Sequence, residues 1–281
     1  MEHEQHTTRD KQPNAYLLPL TIIVAAILIC ATLFYSSSTI AASVNNLASS
    51  GGLKPSVITA SANPSTGATA APTARAVLDK KVSIDFSNKP IRGFKNATTT
   101  LVVFDDFQCP YCSKAHPVFK QILEDYNTSV NLVIRHFPLT SIHPDAFKSS
   151  EAYECALDQG KQFEYGDKLF DNQQNLSIAA LKKYASDLGL DSAKFNSCLD
   201  GGQKASIVQA DNDAGAGYEV SGTPTVFLLS SKDLDYSQIE SLESASNGLV
   251  KVLQEKNGAV VQVAGALPYQ YWQTILGALK N

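Results

Sequence analysis

No basic patch interrupts this chain: 23 Lys and Arg stand against 27 Asp and Glu, for a net charge of −4. Nothing offers the clustered cations that neutralise phosphates, which argues against nucleic acid as a partner. No internal repeat appears, so the chain is not built from stacked units. Cysteine is scarce, five among 281 residues, few enough to place one at a time. There is one C-x-x-C and no second, and His116, His136 and His143 lack the usual knuckle spacing. The set of four ligands that tetrahedral zinc requires is therefore missing, and no metal is expected. Charge is also missing between Lys11 and Lys54. What remains, 44% hydrophobic residues, can bury one good-sized core or two small ones.

The uncharged stretch divides in two. Residues 15–35 are apolar, long enough to span a bilayer and longer than an ordinary signal-peptide core. Arg9 and Lys11 precede them, and the next cation is Lys54. By the positive-inside rule, residues 1–14 stay in the cytoplasm and the bulk of the chain lies outside the cell membrane. A single-pass signal-anchor is expected; cleavage near Ala41 and Ala42 is the alternative. Cys30 lies inside the run. A lipid attachment site wants a small residue just before the cysteine, and Ile29 is bulky, so Cys30 reads as a small apolar residue. Residues 36–76 are rich in Ser, Thr, Ala and Pro, a composition that cannot offset its ordering entropy and reads as a flexible linker.

The chemistry centres on Cys109-Pro110-Tyr111-Cys112. Before it, Thr98 to Phe104 is β-branched and apolar, as a buried strand requires. After it, Val118, Phe119, Ile122 and Leu123 recur at helical spacing. Cys109 thus falls at a helix N-terminus, where free N–H groups and the dipole favour a thiolate. Cys112 sits one turn later, close enough to close a reducible ring. Strand, C-x-x-C, helix is the context of a redox switch; half of a zinc site or an inert pair is the competing reading.

The folded part is expected over residues 77–281. Val82 to Phe86 alternates like a short strand, and Gly93 to Asn96 looks like a turn. Val130 to Phe137 is a strand stopped by Pro138, completing a βαβ unit with parallel strands. Helical spacing then fills residues 146–157, 163–170, 178–188, 192–199 and 205–218, with Asp191 as a candidate cap. Strands at 223–229 and 259–263 flank a polar stretch, 230–257, longer than a simple hairpin needs. A helix over 268–280 buries Trp272, Ile275 and Leu276.

Four motifs occur in order: Cys109-Pro110-Tyr111-Cys112, Arg135-His136-Phe137-Pro138, Gly160-Lys161-Gln162-Phe163 and Gly222-Thr223-Pro224-Thr225. Together they resemble those of DsbA-like thiol:disulfide oxidoreductases. The resemblance spans residues 77–281 and implies an α/β, thioredoxin-like fold with a helical insertion at about 140–218. It implies that Cys109 is the exposed nucleophile and Cys112 the buried partner. Pro110 and Tyr111 would tune the potential, and Thr223-Pro224 would form a cis-proline loop that binds an extended substrate strand. By itself, Gly222-Thr223-Pro224 is also an ordinary turn before a strand.

The resemblance further implies thiol-containing exported proteins as substrates, a quinone-coupled membrane protein as redox partner, and no cofactor. The expected activity is introduction of disulfides; a reductase or isomerase on the same fold, or a non-enzymatic anchored module, are the alternatives. Two departures stand out. Six residues before Cys109, where the family places a buried acid, this chain has Val103, while Asp105 and Asp106 are expected nearer the surface. Tyr111 replaces the His of the strongest oxidants, which implies a milder one; His116, a candidate to compensate, reads as a surface residue. Cys155 and Cys198 are left over. In an oxidising compartment such a pair is expected to be bridged, as in some DsbA-like relatives; two buried free cysteines are the alternative.

Overall fold

The computed structural model describes residues 82–279. The expected membrane segment, residues 15–35, and the linker, 36–76, lie outside them. Among the described residues no helix is long and apolar enough to cross a membrane.

Strand β1 is Ile91–Gly93, β2 Thr99–Asp105 and β3 Val130–His136, with helix α1, Pro110–Asp125, between the last two. Helices α2 (Ala146–Leu157), α3 (Gln162–Asp171), α4 (Ile178–Asp187), α5 (Ser192–Asp200) and α6 (Ala205–Gly217) follow without a strand. Then come β4 (Thr225–Ser230), α7 (Tyr236–Ala245), β5 (Val250–Gln254), β6 (Ala259–Ala264) and α8 (Tyr269–Ala278). The strands form one mixed sheet in the order β1-β3-β2-β4-β6-β5. β2 and β3 are parallel, as a helical crossover requires; the other pairs are antiparallel. Asp191 caps α5 by accepting from the N–H groups of Ala193 and Lys194.

β2 is buried along its whole length, and its alternation feeds two cores. Leu101 and Val103 face the larger one, with Phe119 and Ile122 of α1 and Trp272 of α8. Val102 and Phe104 face a smaller one, with Ile84, Val220 and Phe227. α6 can lie close to this second face because Gly215 has no side chain. A Cβ there would stand 2.6 Å from the Phe137 ring and 3.0 Å from that of Phe104.

Two sequence expectations change. Val82 to Phe86 is not a strand, and the first strand, Ile91–Gly93, reaches into the expected turn. Its alternation records side-chain burial instead of ladder pairing: Ile84 packs in the smaller core, while the Val82 N–H donates to Gln254 Oε1 and that of Asp85 to Tyr218 Oη. The polar stretch 230–257 holds α7 and the edge strand β5. A capping box starts α7: Asp235 accepts from the Gln238 N–H, and the Gln238 side chain accepts from the Asp235 N–H.

Candidate redox site

Cys109 is the N-cap of α1, with extended backbone, and Pro110 fills the first helical position, where a missing N–H costs nothing. The Cys109 N–H donates to Asp106 O at 3.0 Å, and the Ser113 N–H donates to Cys109 O at 3.1 Å. The sulfur therefore sits at the positive end of the helix. The Cys109 thiol donates to the carbonyl of Thr223 at 3.3 Å, and the Thr223–Pro224 bond is cis. Cys112 lies one turn on, and both cysteines are free thiols.

Exposure does not separate the two cysteines as expected: Cys109 is 3% exposed and Cys112 1%, because the Thr223–Pro224 loop lies against the first. Surroundings separate them. The Cys112 thiol, then the Thr223 hydroxyl and the N–H groups of Cys112 and Tyr111, pull Cys109 down to about 5 against the effect of burial. The Thr223 hydroxyl is buried and makes no hydrogen bond among the described residues, so no other group competes with the sulfur for it. Burial pushes Cys112 well above the ordinary thiol range, reinforced by the neighbouring Cys109 sulfur and by Asp105. Tyr111 points outward, 59% exposed, with Lys114 Nζ 5.3 Å from its ring centre.

Asp105 is the residue that sequence reasoning misplaced. Positions 103 and 105 share parity on β2, so Asp105 lies on the same face as Val103, toward α1. It is buried, not near the surface, and its carboxyl is raised to about 6 by burial, with the Cys112 thiol and His116 pulling the other way. An acid beside Cys112 is thus present, two residues later than the motif suggests. Asp106 is fully buried as well. It accepts from the N–H groups of Gln108 (2.7 Å) and Leu139 (2.8 Å) and lies 2.8 Å from His143 Nδ1. These bonds tie the turn before Cys109 to the loop after β3; Gln108 Oε1, accepting from the Asp145 N–H at 2.8 Å, does the same.

Gln173 had no sequence signal. From the segment after α3 it donates to the carbonyls of Phe107 (3.0 Å) and Cys109 (2.8 Å), bracing the turn from the helical side. His116 is not a surface residue either. Its side chain is 12% exposed, its ring lies 4.6 Å from that of Phe170, and Nε2 is 2.9 Å from Asp167 Oδ1.

Cys155 of α2 and Cys198 of α5 are bridged, with Cα atoms 5.9 Å apart. His136, Glu154 and Asp211 bring ligand atoms within 4.8 Å of one another. The ammonium of Lys89 already occupies that cluster, 2.7 Å from Asp211 and 3.3 Å from Glu154, and Arg135 adds a bond of 2.9 Å to Asp211. It reads as a compensated ion-pair cluster on the helical side, not a cation site.

A family model described as Thioredoxin matches residues 86–245. The chain belongs to the thioredoxin family. Among curated proteins, this thioredoxin-family chain is 39% identical over 169 residues to Na(+)/H(+) antiporter NhaA 3 of Salinispora tropica, a match covering 60% of this chain and 26% of the antiporter. The chain thus spans about a quarter of the length of the curated relatives it matches. Among solved structures it resembles alpha-DsbA1 of Wolbachia pipientis, with a TM-score of 0.55, 20% identity, and coverage of 70% of this chain and 92% of that one. A thioredoxin-like oxidoreductase of Silicibacter pomeroyi gives 0.51 at 19% identity, covering 70% and 95%. At such identity these two share its fold.

Proposed function

We propose that this thioredoxin-family domain is a thiol:disulfide oxidoreductase that works outside the cytoplasm and introduces disulfides into exported proteins. The observation that carries the reading is the asymmetry of the pair: Cys109 caps α1 against Thr223, and Cys112 lies one turn below beside the buried Asp105. In the oxidised domain, a substrate thiolate attacks Cys109 Sγ. The Cys109–Cys112 bond breaks, and the Cys112 thiolate leaves and takes up a proton. A second substrate thiolate then attacks the substrate sulfur of the mixed disulfide, forming the substrate disulfide and releasing Cys109 as thiolate. Two electrons pass from the substrate dithiol to the domain.

Direction follows from which form the site stabilises. A Cys109 thiolate held by the Cys112 thiol, Thr223 and the helix end favours the reduced domain, so the disulfide form is an oxidant. Thr223 and Pro224 are assigned to substrate binding, and Pro110 and Tyr111 to tuning the pair. Reoxidation needs an electron acceptor, for which a quinone-coupled membrane protein is proposed. The uncharged run at 15–35 would hold the domain beside the membrane, and similarity to part of proteins named as antiporters supports that placement.

The test is to mix the oxidised chain with a reduced two-cysteine peptide and follow peptide disulfide by mass. Peptide oxidation by the wild type, absent in Cys109→Ser, is the expected result. A pair that reduces peptide disulfides faster than it forms them would turn the assignment to a reductase, and an inert pair would leave a non-enzymatic module.

A further inference from the structure

Protonation of the Cys112 leaving group poses a problem of access. Asp105 is buried beside it, and neither group reaches solvent directly. A cavity of about 10 Å³ lies under α1, and Asp105, His116, Arg92 and Lys120 all line it. That is close to the least room a single water needs, and the lining supplies polar partners for one. The same helix borders an open groove of about 600 Å³, lined by Ser113, Pro117, Glu124, Phe170 and again His116 and Lys120. His116 and Lys120 thus border both the inner cavity and the outer groove.

Resting on the redox reading above, we propose that His116 carries protons between the buried Asp105 and the solvent groove. When the pair is reduced, Asp105 gives its proton to the Cys112 thiolate, and the carboxylate is refilled through His116. When the pair is reoxidised, the Cys112 proton leaves by the same route. No electron passes through His116, and it acts only through Asp105.

The other groups around the cavity do not fit the role. A guanidinium does not release its proton in proteins, and Arg92 of β1 is locked on Asp167 by bonds of 2.7 and 2.8 Å. Tyr153 of α2 is pushed well above the ordinary phenol range by burial. Burial raises Asp167 of α3, but His116 and Arg92 outweigh it and hold the carboxyl well below the usual carboxylate range. Lys120 of α1 lies 3.2 Å from Asp167, and its ammonium has no lone pair with which to take up a proton. Glu164 of α3 is engaged by Lys161, and His136 of β3 by Glu154. An imidazole is the side chain that takes up and releases protons near neutral pH. Asp167 orients it, and the Phe170 ring supports its face.

The experiment is stopped-flow reduction of the oxidised full chain by dithiothreitol from pH 5 to 9, which reports on thiol exchange whatever the domain's physiological direction. His116→Gln is expected to slow reduction at least about tenfold near pH 7, with the Cys109 thiolate titration unmoved. Added imidazole is expected to restore the rate in His116→Gly in proportion to its free base. An unchanged rate and pH profile in His116→Gln would overturn the relay and leave the redox reading standing. So would a loss that imidazole leaves in place while the Cys109 titration moves, since that marks a structural role. A wild-type pair inert to dithiothreitol would bring down the redox reading, and the relay with it.

Discussion

Two cysteine pairs lie in one core, and all four residues are buried. Cys155 and Cys198 are bridged; Cys109 and Cys112 are free thiols. Burial therefore does not decide which pair reacts. Cys109 is a helix N-cap facing the Thr223 carbonyl, with a buried acid beyond its partner. Cys155 and Cys198 lie inside α2 and α5, away from either N-terminus, where no dipole end supports a thiolate. The same two atoms of sulfur become a switch or a staple according to the helix position and the donors around them.

Removing the reactive sulfur tests this contrast most severely. Cys109→Ser is expected to bring dithiol exchange down to background, whereas replacing Cys155 and Cys198 together by Ala should leave exchange by the first pair in place. Alkylation of the wild type under mild reductant should label Cys109 and Cys112 first. Labelling of Cys155 or Cys198 ahead of them would erase the distinction. The staple's own contribution is to stability. It closes a sequence separation of 43 residues, for which the chain-entropy model gives up to about 4 kcal/mol. Chemical denaturation of the Cys155→Ala, Cys198→Ala double variant measures it, and an unchanged midpoint would contradict the assignment.

Asp105→Asn sharpens the comparison from the acid side. The amide keeps the shape of the carboxyl but neither donates nor accepts the Cys112 proton, so exchange should fall about 10²-fold. The pH dependence associated with a group at about 6 should vanish from the rate. If the rate falls but that inflection persists, another group supplies the proton.

How much of this was legible in the sequence follows the same division between pattern and packing. The strand before Cys109, the helix after it and the helices from 146 to 217 announce themselves through apolar period, and the structure has them within a few residues. The first strand was misplaced because Val82 to Phe86 alternates for burial without a ladder partner. The Asp-x-x-Gln start of α7 was readable at Asp235 and Gln238 as a capping box, but the polar surroundings hid it. Asp105 is the instructive miss. Its parity with Val103 was visible, yet two adjacent acids at a strand end suggest solvent, and only the packing of α1 and the 137–145 loop buries both. Gln173 could not be found at all, since a glutamine between two helices carries no pattern. Its bonds to Phe107 and Cys109 exist only in three dimensions.

A smaller effect tests the second core face. Gly215→Ala places a methyl 2.6 Å from the Phe137 ring, a distance that forces α6 or the ring to move. Overpacking of this kind costs about 1–3 kcal/mol. Because Phe137 follows His136 away from the sulfurs, the loss should appear in the denaturation midpoint with the Cys109 titration unmoved. A shifted titration would mean that the two faces are coupled.

The smallest expected effect separates the donors that hold the Cys109 thiolate. Thr223→Val keeps the size of the side chain and the carbonyl that meets Cys109, and removes only the hydroxyl. The hydroxyl is free to donate to the sulfur once it ionises, and one such bond is worth about 0.5–1.5 kcal/mol, so Cys109 should rise from about 5 by up to about one unit. The sign carries through to both redox and stability. A weaker thiolate destabilises the reduced domain, so the potential of the pair at pH 7 should fall by up to about 30 mV. For stability, a group lowered on folding contributes fully above its unfolded value, near 8.5 for a thiol, and loses that contribution as pH falls through about 5. The oxidised chain has no such group. The gap in stability between reduced and oxidised wild type should therefore widen steadily from pH 5 to about 8.5, and in Thr223→Val it should start to widen later and end smaller. Thiolate absorbance at acid pH and denaturation of both redox forms measure the two ends of that window. A Thr223→Val titration that coincides with wild type would assign the stabilisation to the helix end and the Cys112 thiol alone.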